Sequence, residues 1–188
     1  MASLQPTTFV LIALNVLVYV LNWFQKLNIN NRLALNTNLV LHYHQWYRVF
    51  TSMFVHFGFA HILMNMIALY YFSRQVDGYI EPWKFLIIYL GSGICGSLLA
   101  MLSDKIHHFN GISGGASGAI FGILGGILAM MIKENGGAAG DNLPMIIGLI
   151  VYIVIMLIPG FKSKKISNAG HLGGLIGGFG LGFLLFVR

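Results

Sequence analysis

Charged residues are scarce in this chain of 188 residues, and acidic ones most of all. Lys, Arg, Asp and Glu make up 9% of the sequence, with 5 acidic side chains against 11 basic ones. Soluble globular domains carry roughly 25% charged residues. The chain is 57% hydrophobic, with a mean hydropathy of +0.78, and a soluble fold of this length has no room to bury so much apolar surface. Lipid is therefore the expected solvent, and we expect residues 1–188 to form one membrane domain.

Cysteine is nearly absent as well. The single Cys95 lies in an apolar run and excludes an intramolecular disulfide. The net charge of +6 would suggest nucleic acid as a partner of a soluble protein. Here the basic residues stand between apolar runs, which is typical of anchoring at the membrane interface and of attraction to anionic lipid. We expect contact with a lipid bilayer and none with nucleic acid.

Apolar runs predict six membrane-spanning helices, each of which needs about 20 mostly apolar residues. The runs cover 7–24, 59–76, 83–102, 114–132, 143–158 and 169–186. Between the first two, the stretch 25–55 (the first loop) is too polar to span but rich in aromatic residues, as expected of an interfacial segment. The prediction is an all-α membrane protein, a six-helix bundle with a long interfacial first loop. The fifth run is the shortest and ends at Pro159-Gly160, so it is either a mobile gate or a less tilted helix.

Glycine is concentrated in the fourth and sixth runs. Pairs such as Gly118/Gly122 and Gly170/Gly174 are four residues apart and so share one helix face. Small residues at this spacing let two helix backbones approach closely. The fourth and sixth helices are therefore predicted to touch.

A few polar side chains fall at the starts of alternate helices. Ser117 opens the fourth run and His171 the sixth, while His61 and Asn65 lie four residues apart near the start of the second. Alternate spans run in the same direction, so all four side chains share one leaflet, at a depth on the order of 5–10 Å. A histidine near a serine can take the hydroxyl proton and make the oxygen a nucleophile.

The same residues allow an oxyanion site. Free backbone N–H groups at a helix start stabilise negative charge, and His61 and Asn65 could add side-chain donors. Carboxylates are expected elsewhere: Asp104, Glu134 and Asp141 in loops, Asp77 and Glu81 near the far end of the second helix. The economical hypothesis is a Ser117–His171 dyad.

Ordinary structural roles compete with this hypothesis. Ser117 fits as a small packing residue and His171 as a core histidine satisfied by a carbonyl, while His61 and Asn65 fit as interhelical hydrogen bonds worth about 1 kcal/mol. No metal site is expected, because the sequence lacks a His-Glu-x-x-His pair. On the residues alone, a hydrolase is as well supported as a transporter or a structural membrane protein.

Ordered motifs decide between these alternatives. They are Tyr47-Arg48 in the first loop, His56, His61-Ile62-Leu63-Met64-Asn65 on the second helix, Gly115-Ala116-Ser117-Gly118 on the fourth, and Ala169-Gly170-His171-Leu172-Gly173-Gly174 on the sixth. Together they resemble the rhomboid family of intramembrane serine proteases, in particular its compact bacterial GlpG type, over nearly the whole chain.

The resemblance implies roles for these residues. Ser117 would attack the scissile carbonyl, and His171 would act as base and then acid. The Ser117 N–H, His61 and Asn65 would stabilise the oxyanion. Structural support would come from His56, Arg48, Gly115, Gly118 and Phe121, and Asp77 would bond within the bundle.

The resemblance also implies a setting for the reaction. Substrates would be membrane proteins cleaved in or near a transmembrane segment, typically after a small residue. The fifth helix and the loop 159–165 would form a gate and cap, and no cofactor is needed. The main alternative is a non-catalytic rhomboid-like protein that binds or translocates transmembrane clients.

This chain departs from the family in two aromatic positions. Tyr47 stands where the family usually has tryptophan, although Trp46 adjoins it. Phe121, four residues after the serine, stands where a tyrosine often packs on the catalytic histidine. A ring can still stack there, but its hydroxyl is absent. Neither change removes the dyad, though both are expected to bear on rate or loop stability.

Charge bias and family likeness disagree about orientation. The loops on the serine side hold Lys26, Arg32, Arg48, Lys105, Lys162, Lys164 and Lys165, and the opposite side holds Arg74, Lys84, Lys133 and Arg188. The positive-inside rule would place the serine side in the cytoplasm. The resemblance implies a bacterial cytoplasmic (inner) membrane protein whose site opens to the extracytoplasmic side, and we expect that orientation.

Overall fold

The computed structural model describes residues 6–23, 28–76, 79–134, 143–162 and 167–186. Nearly all of them are helical. The helices are α1 Pro6–Trp23, α2 Ile29–Leu33, α3 Thr37–Tyr43, α4 Tyr47–Thr51 with a following 3₁₀ turn Ser52–Phe54, α5 Phe59–Val76, α6 Pro82–Ile106, α7 Ser117–Glu134, α8 Leu143–Lys162 and α9 Asn168–Leu185. Within the described ranges the only extended pairing is an isolated antiparallel bridge between Leu35 and Ser113. The prediction of an all-α fold is confirmed.

Most of the long helices begin and end close to the predicted runs, and α5 coincides with its run. The serine-bearing helix differs, because α7 begins at Ser117 itself. Glycine-rich backbone precedes Ser117, and Gly115 has a φ of +136°, which no right-handed helix contains. Ser117 therefore lies at the very start of its helix and not a few residues inside it.

Helices α6 and α8 continue beyond their predicted ends. Asp104, expected in a loop, lies in the last turn of α6 and accepts a hydrogen bond of 2.9 Å from Thr37 Oγ1. Helix α8 passes through Pro159 and has 20 residues, so the prediction that it ends there as the shortest span is wrong. A proline near the end of a helix removes one backbone hydrogen bond without ending it, and membrane helices tolerate this. Glu134 likewise closes α7, while Asp77 and Asp141 lie outside the described residues.

Glycine-lined contacts between α6, α7 and α9 form the centre of the molecule. A Cβ atom on Gly174 of α9 would overlap the carbonyl oxygen of Gly118 of α7, and one on Gly178 would overlap that of Gly122. On α6, a Cβ on Gly96 would lie 2.7 Å from the Gly170 oxygen. The predicted contact between the fourth and sixth long helices is confirmed, and it extends to the third.

Side chains and caps pack the described part of the first loop firmly. The Asn36 side chain caps α3 by accepting from the Leu39 N–H at 2.9 Å. The Arg48 guanidinium is buried and donates from Nη1 to the carbonyls of Asn31 and Ala34 at 2.9 and 2.7 Å. Charge-assisted bonds of this kind are among the stronger protein hydrogen bonds. This loop forms one wall of the site described below.

Length and composition let α1 and α6 cross a membrane, and these are the two such helices in the described part of the chain. The pair Tyr47–Phe54 and Phe59–Val76, bent by 90°, adds a third if it counts as one broken span. Helix α7 is apolar but shorter over Ser117–Lys133. Many large apolar side chains of α1 and α9 face outward, as lipid contact requires. The count of six spans stays a prediction.

Candidate active site

The turn before Ser117 is held by the first loop and the segment that follows it. Gly115 N–H donates to the Ser52 carbonyl at 3.0 Å. One residue later, Ala116 N–H donates to His56 Nε2 at 3.4 Å. At the start of this turn, Ser113 exchanges two backbone hydrogen bonds with Leu35, at 2.9 and 3.0 Å. The position of Ser117 is therefore set from outside its own helix.

Gly115 is a position that favours glycine for two reasons. Its φ of +136° is strained for any residue with a side chain. A Cβ there would also lie 2.8 Å from His61 Nε2 and 3.8 Å from Ser117 Oγ. The imidazole of His61 and the hydroxyl of Ser117 therefore border the same small space, and glycine keeps that space open.

His171 lies in the first turn of α9 and faces Ser117. The Ser167 side chain caps this helix by accepting from the Gly170 N–H at 3.1 Å. His171 Nε2 is 2.8 Å from Ser117 Oγ, a hydrogen bond between two residues 54 positions apart. One face of the imidazole stacks on the Phe121 ring, with ring centroids 4.5 Å apart and an angle of 4° between the ring planes. One bond and one stacked ring thus fix the imidazole.

The close glycine contact of α7 with α9 explains how the two residues meet. Gly118 follows Ser117 directly, and Gly174 lies three residues after His171, where the backbones touch. A side chain at Gly174 would overlap the Gly118 carbonyl and push the serine and histidine apart, whereas a Cβ at Gly118 would lie 3.4 Å from the Gly170 oxygen, an ordinary contact. Gly118 contributes its backbone carbonyl to this contact, and its predicted supporting role stays a prediction.

His61 and Asn65 line an open groove of about 400 Å³ beside the serine and histidine, which we call the α5–α8 groove. Its other walls come from Ala60, Met64, Ala68, Ile120, Phe121 and Tyr152. Asn65 Nδ2 donates to the His61 carbonyl at 2.7 Å, which leaves its second amide hydrogen free to bond elsewhere. The structure therefore brings Ser117, His171, His61 and Asn65 to one groove, and their roles stay predictions.

A second, smaller cavity of about 60 Å³ lies on the other side of Ser117, and we call it the polar cavity. Its lining includes Ser52, Ser97 and Ser167 together with His171. A water molecule needs roughly 10–15 Å³ of such space and two or more polar partners. The polar cavity has room for several water molecules within reach of the serine.

His56 is a buried histidine that stays uncharged. It lies between the 3₁₀ turn and α5, outside the long helices, and is 1% exposed. Burial lowers the pKa of His56 to about 3, the neighbouring His61 acts in the same direction, and the Phe54 backbone opposes both. A neutral imidazole can accept the Ala116 N–H bond, which a protonated one could not. His56 also packs edge-on against the His61 ring, with centroids 5.0 Å apart.

Arg48 and the carboxylates are not part of this site. The Arg48 side chain bonds within the first loop, with its Nε donating to Gln45 Oε1 at 2.7 Å, and its guanidinium lies over the Tyr47 ring. Among the described residues, no Asp or Glu lines the α5–α8 groove or the polar cavity. The same part of the chain contains no cluster of His, Cys, Asp and Glu suited to a metal ion.

Sequence reasoning missed three groups that shape the site. Ser167 had a readable signal, because a serine directly before an apolar helical run is a favoured N-cap. The Ser52 carbonyl and the Leu35–Ser113 bridge had none, since backbone contacts between distant segments leave no trace in a single sequence. The site is therefore more dependent on the first loop than its motifs indicate.

Comparison with known proteins adds an independent line of evidence. The Rhomboid domain family model matches residues 43–188. Rhomboid protease GluP of Bacillus subtilis (strain 168) is 34% identical over 183 residues, which cover 93% of this chain and 34% of the relative. YdcA of the same bacterium is 34% identical over 140 residues, covering 74% of this chain and 67% of the relative.

A plant protein is equally similar. RHOMBOID-like protein 1 of Arabidopsis thaliana is 35% identical over 155 residues, covering 82% of this chain and 38% of the relative. This chain spans little more than a third of that protein and about a third of GluP. The matched residues include Ser117, His61, Asn65 and His171 in the present chain.

Proposed function

The chain belongs to the rhomboid family and is an integral membrane protein, and from this premise we propose that it is an intramembrane serine endopeptidase. The observation that carries the proposal is the hydrogen bond of 2.8 Å between His171 Nε2 and Ser117 Oγ. Among the described residues, it joins a serine and a histidine whose positions match both the resemblance and the site geometry. The family supports proteolysis in general, and the assignment of the two residues is ours.

The proposed reaction begins with proton transfer from Ser117 Oγ to His171 Nε2. The oxygen attacks the scissile carbonyl carbon and forms a tetrahedral intermediate. His171 then returns the proton to the leaving amine as the C–N bond breaks, which leaves an acyl ester on Ser117. A water molecule from the polar cavity attacks this ester, with His171 again as base, and frees the second product.

Negative charge on the carbonyl oxygen needs donors during both attacks. The Ser117 N–H lies at the start of α7, where backbone donors lack helical partners. His61 Nε2 borders the space next to Ser117, and Asn65 has one amide hydrogen to spare. We assign these three groups to the oxyanion site. Removing one such donor typically costs roughly 10²–10³-fold in kcat.

The substrate is proposed to be a transmembrane protein that enters along the α5–α8 groove. This groove reaches from the serine between α5 and α8, and a second apolar groove continues it along Met64, Tyr71, Gly148 and Tyr152. An extended segment with a small residue at the cut would bring its carbonyl to Ser117. We further propose six spans, a bacterial inner membrane location and an extracytoplasmic site.

Cleavage in a reconstituted membrane tests the function. A panel of single-span reporter proteins, each with Ala, Gly or Ser near one end of the span, is placed in liposomes with the protein, and products are identified by mass spectrometry. A cut within or near the span, lost in Ser117→Ala, supports the proposal. Cleavage that persists in folded Ser117→Ala would contradict it.

The non-catalytic alternative makes the opposite prediction in the same liposomes. A rhomboid-like protein that only binds transmembrane clients would retain the reporters without cutting them. Wild type and Ser117→Ala would then pull down the same reporters in equal amounts and release no product. Orientation is read separately, from protease accessibility of tags placed before α1 and after α9.

A further inference from the structure

The Nδ1 edge of the His171 ring has no hydrogen-bond contact within the described part of the chain. Nε2 bonds to Ser117 Oγ and one ring face stacks on Phe121. His171 is 6% exposed, and its Nδ1 is buried with no hydrogen-bond partner among the described residues. A neutral imidazole that accepts a proton at Nε2 must carry its own hydrogen on Nδ1. The proposed mechanism therefore places a buried N–H donor at this edge.

An equally unsatisfied acceptor lies one helical turn away. Asn168 is the first residue of α9, and its Oδ1 is also buried without a hydrogen-bond partner in the described part of the chain. Residues three apart on a helix are neighbours on its surface. Among the described buried side-chain atoms that lack a hydrogen-bond partner, these two belong to the pair of residues closest in sequence. A donor without an acceptor and an acceptor without a donor thus share the first turn of α9.

We infer that Asn168 is a positioning residue whose Oδ1 accepts a hydrogen bond from His171 Nδ1–H. The bond would hold the imidazole in the tautomer that can take the Ser117 proton, which is the task of the carboxylate in Ser-His-Asp triads. The two atoms are not bonded as the side chains stand, so the contact forms by rotation of the carboxamide or across one water molecule. This inference rests on the proposed function. In this inference Asn168 acts through His171 and contacts neither the substrate nor the reacting atoms.

A substitution that introduces a charge at Asn168 separates an effect on His171 from an effect on packing. His61 is the titratable group that interacts electrostatically with His171, and the described part of the site contains no carboxylate. Asn168→Asp adds a carboxylate of the same shape. A negative charge within about 4–6 Å raises the pKa of a histidine by roughly 1–3 units. A substitution that acted only on folding would leave this titration where it was.

The experiment measures the rate at which a fluorophosphonate modifies Ser117 in detergent, as a function of pH. Asn168→Leu keeps the size but removes the acceptor, and we expect a rate at least tenfold below wild type at every pH. Asn168→Asp should recover the rate and move the midpoint of its rise upward by about 1 pH unit or more. A rate for Asn168→Leu within twofold of wild type, or an unshifted midpoint for Asn168→Asp, would overturn the inference.

Ser167→Ala is the matched control for damage to the helix start. It removes the cap bond to the Gly170 N–H and should lower the melting temperature without moving the midpoint of the pH profile. A shift of that midpoint as large as the one in Asn168→Asp would show that any disturbance of this turn has the same effect. That result would also count against a specific role for Asn168.

Nitrogen NMR separates failure of this inference from failure of the proposed function. The protein is labelled with ¹⁵N-histidine, and His171 is assigned among its 7 histidines with a His171→Gln variant. We expect a slowly exchanging, downfield Nδ1 proton in wild type that is lost in Asn168→Leu. Wild type that never reacts with the probe but shows this proton would refute the protease and keep the hydrogen bond. A freely exchanging Nδ1 proton in reactive wild type would refute the hydrogen bond alone.

Discussion

Replacing Gly174 by alanine should separate the serine from the histidine. A Cβ at Gly174 would overlap the Gly118 carbonyl oxygen and lie 2.7 Å from its carbon and 3.1 Å from its Cα. Every one of these neighbours is backbone, so no side chain can rotate out of the way. The helices must move apart by on the order of 1 Å to restore contacts of about 3.5 Å. Ser117 directly precedes Gly118, and His171 lies three residues before Gly174. The Ser117–His171 hydrogen bond therefore lengthens as the helices separate.

Two magnitudes follow from this separation. Overpacking of a close-packed interface destabilises by about 1–3 kcal/mol. A misplacement near 1 Å between reacting groups costs roughly 10²-fold in rate. We therefore expect Gly174→Ala to fold with a lower melting temperature and to react with a fluorophosphonate at about a hundredth of the wild-type rate.

Gly180 on the same helix provides the matched control. A Cβ there meets no atom within 4 Å, and alanine favours the helix by about 0.5–1 kcal/mol relative to glycine. Gly180→Ala should react at the wild-type rate and be at least as stable. Both variants are compared in one detergent by thermal unfolding and labelling rate. If Gly174→Ala matches Gly180→Ala in both measurements, helix proximity does not hold the site together.

Other variants test the remaining parts of the site. Phe121→Ala removes the ring stacked on His171 and should slow probe labelling at least tenfold, whereas Phe121→Tyr, which keeps the ring, should stay within about threefold of wild type. Gly115→Ala forces a side chain into a φ near +136°, at a cost of roughly 1–3 kcal/mol, and should lose labelling, while Gly58→Ala, where a Cβ meets nothing within 4 Å, should keep it. Because burial lowers the pKa of His56 to about 3, its stabilising contribution is complete above about pH 6.5 and is lost as the pH falls towards 3, by up to about 1.4 kcal/mol per pH unit. Wild type should therefore lose more thermal stability than His56→Gln between about pH 7 and 5, and parallel curves would contradict the burial argument.

Sequence periodicity predicted the helices because each long apolar run has one solution in lipid. Backbone N–H and C=O groups must pair within the segment, so a run such as 59–76 becomes a helix with ends set by polarity. The predicted ends of α6 and α8 were wrong, because each helix continues past residues that often end one. Pro159 lies in the last turn of α8, where losing one bond does not end a helix, and Asp104 lies in the last turn of α6, where its carboxylate accepts a hydrogen bond from Thr37.

The residues around Ser117 were found because polar side chains in apolar helices are conspicuous. Helix direction alone placed His61, Asn65 and His171 at the same end, and the structure brings them to one site. What the sequence did not show is how the turn before Ser117 is shaped. That turn depends on the Ser52 carbonyl and other backbone atoms of the first loop, and backbone contacts impose no residue type that a single sequence would display.

The central claim is that His171 activates Ser117, and covalent labelling tests it most directly without knowledge of a substrate. Purified protein in detergent is treated with a fluorophosphonate beside folded Ser117→Ala and His171→Ala variants, and the adduct is mapped by mass spectrometry. We predict one adduct on Ser117 in wild type and none in either variant. A folded wild-type protein that does not label, or a His171→Ala variant that labels as fast as wild type, would contradict the account.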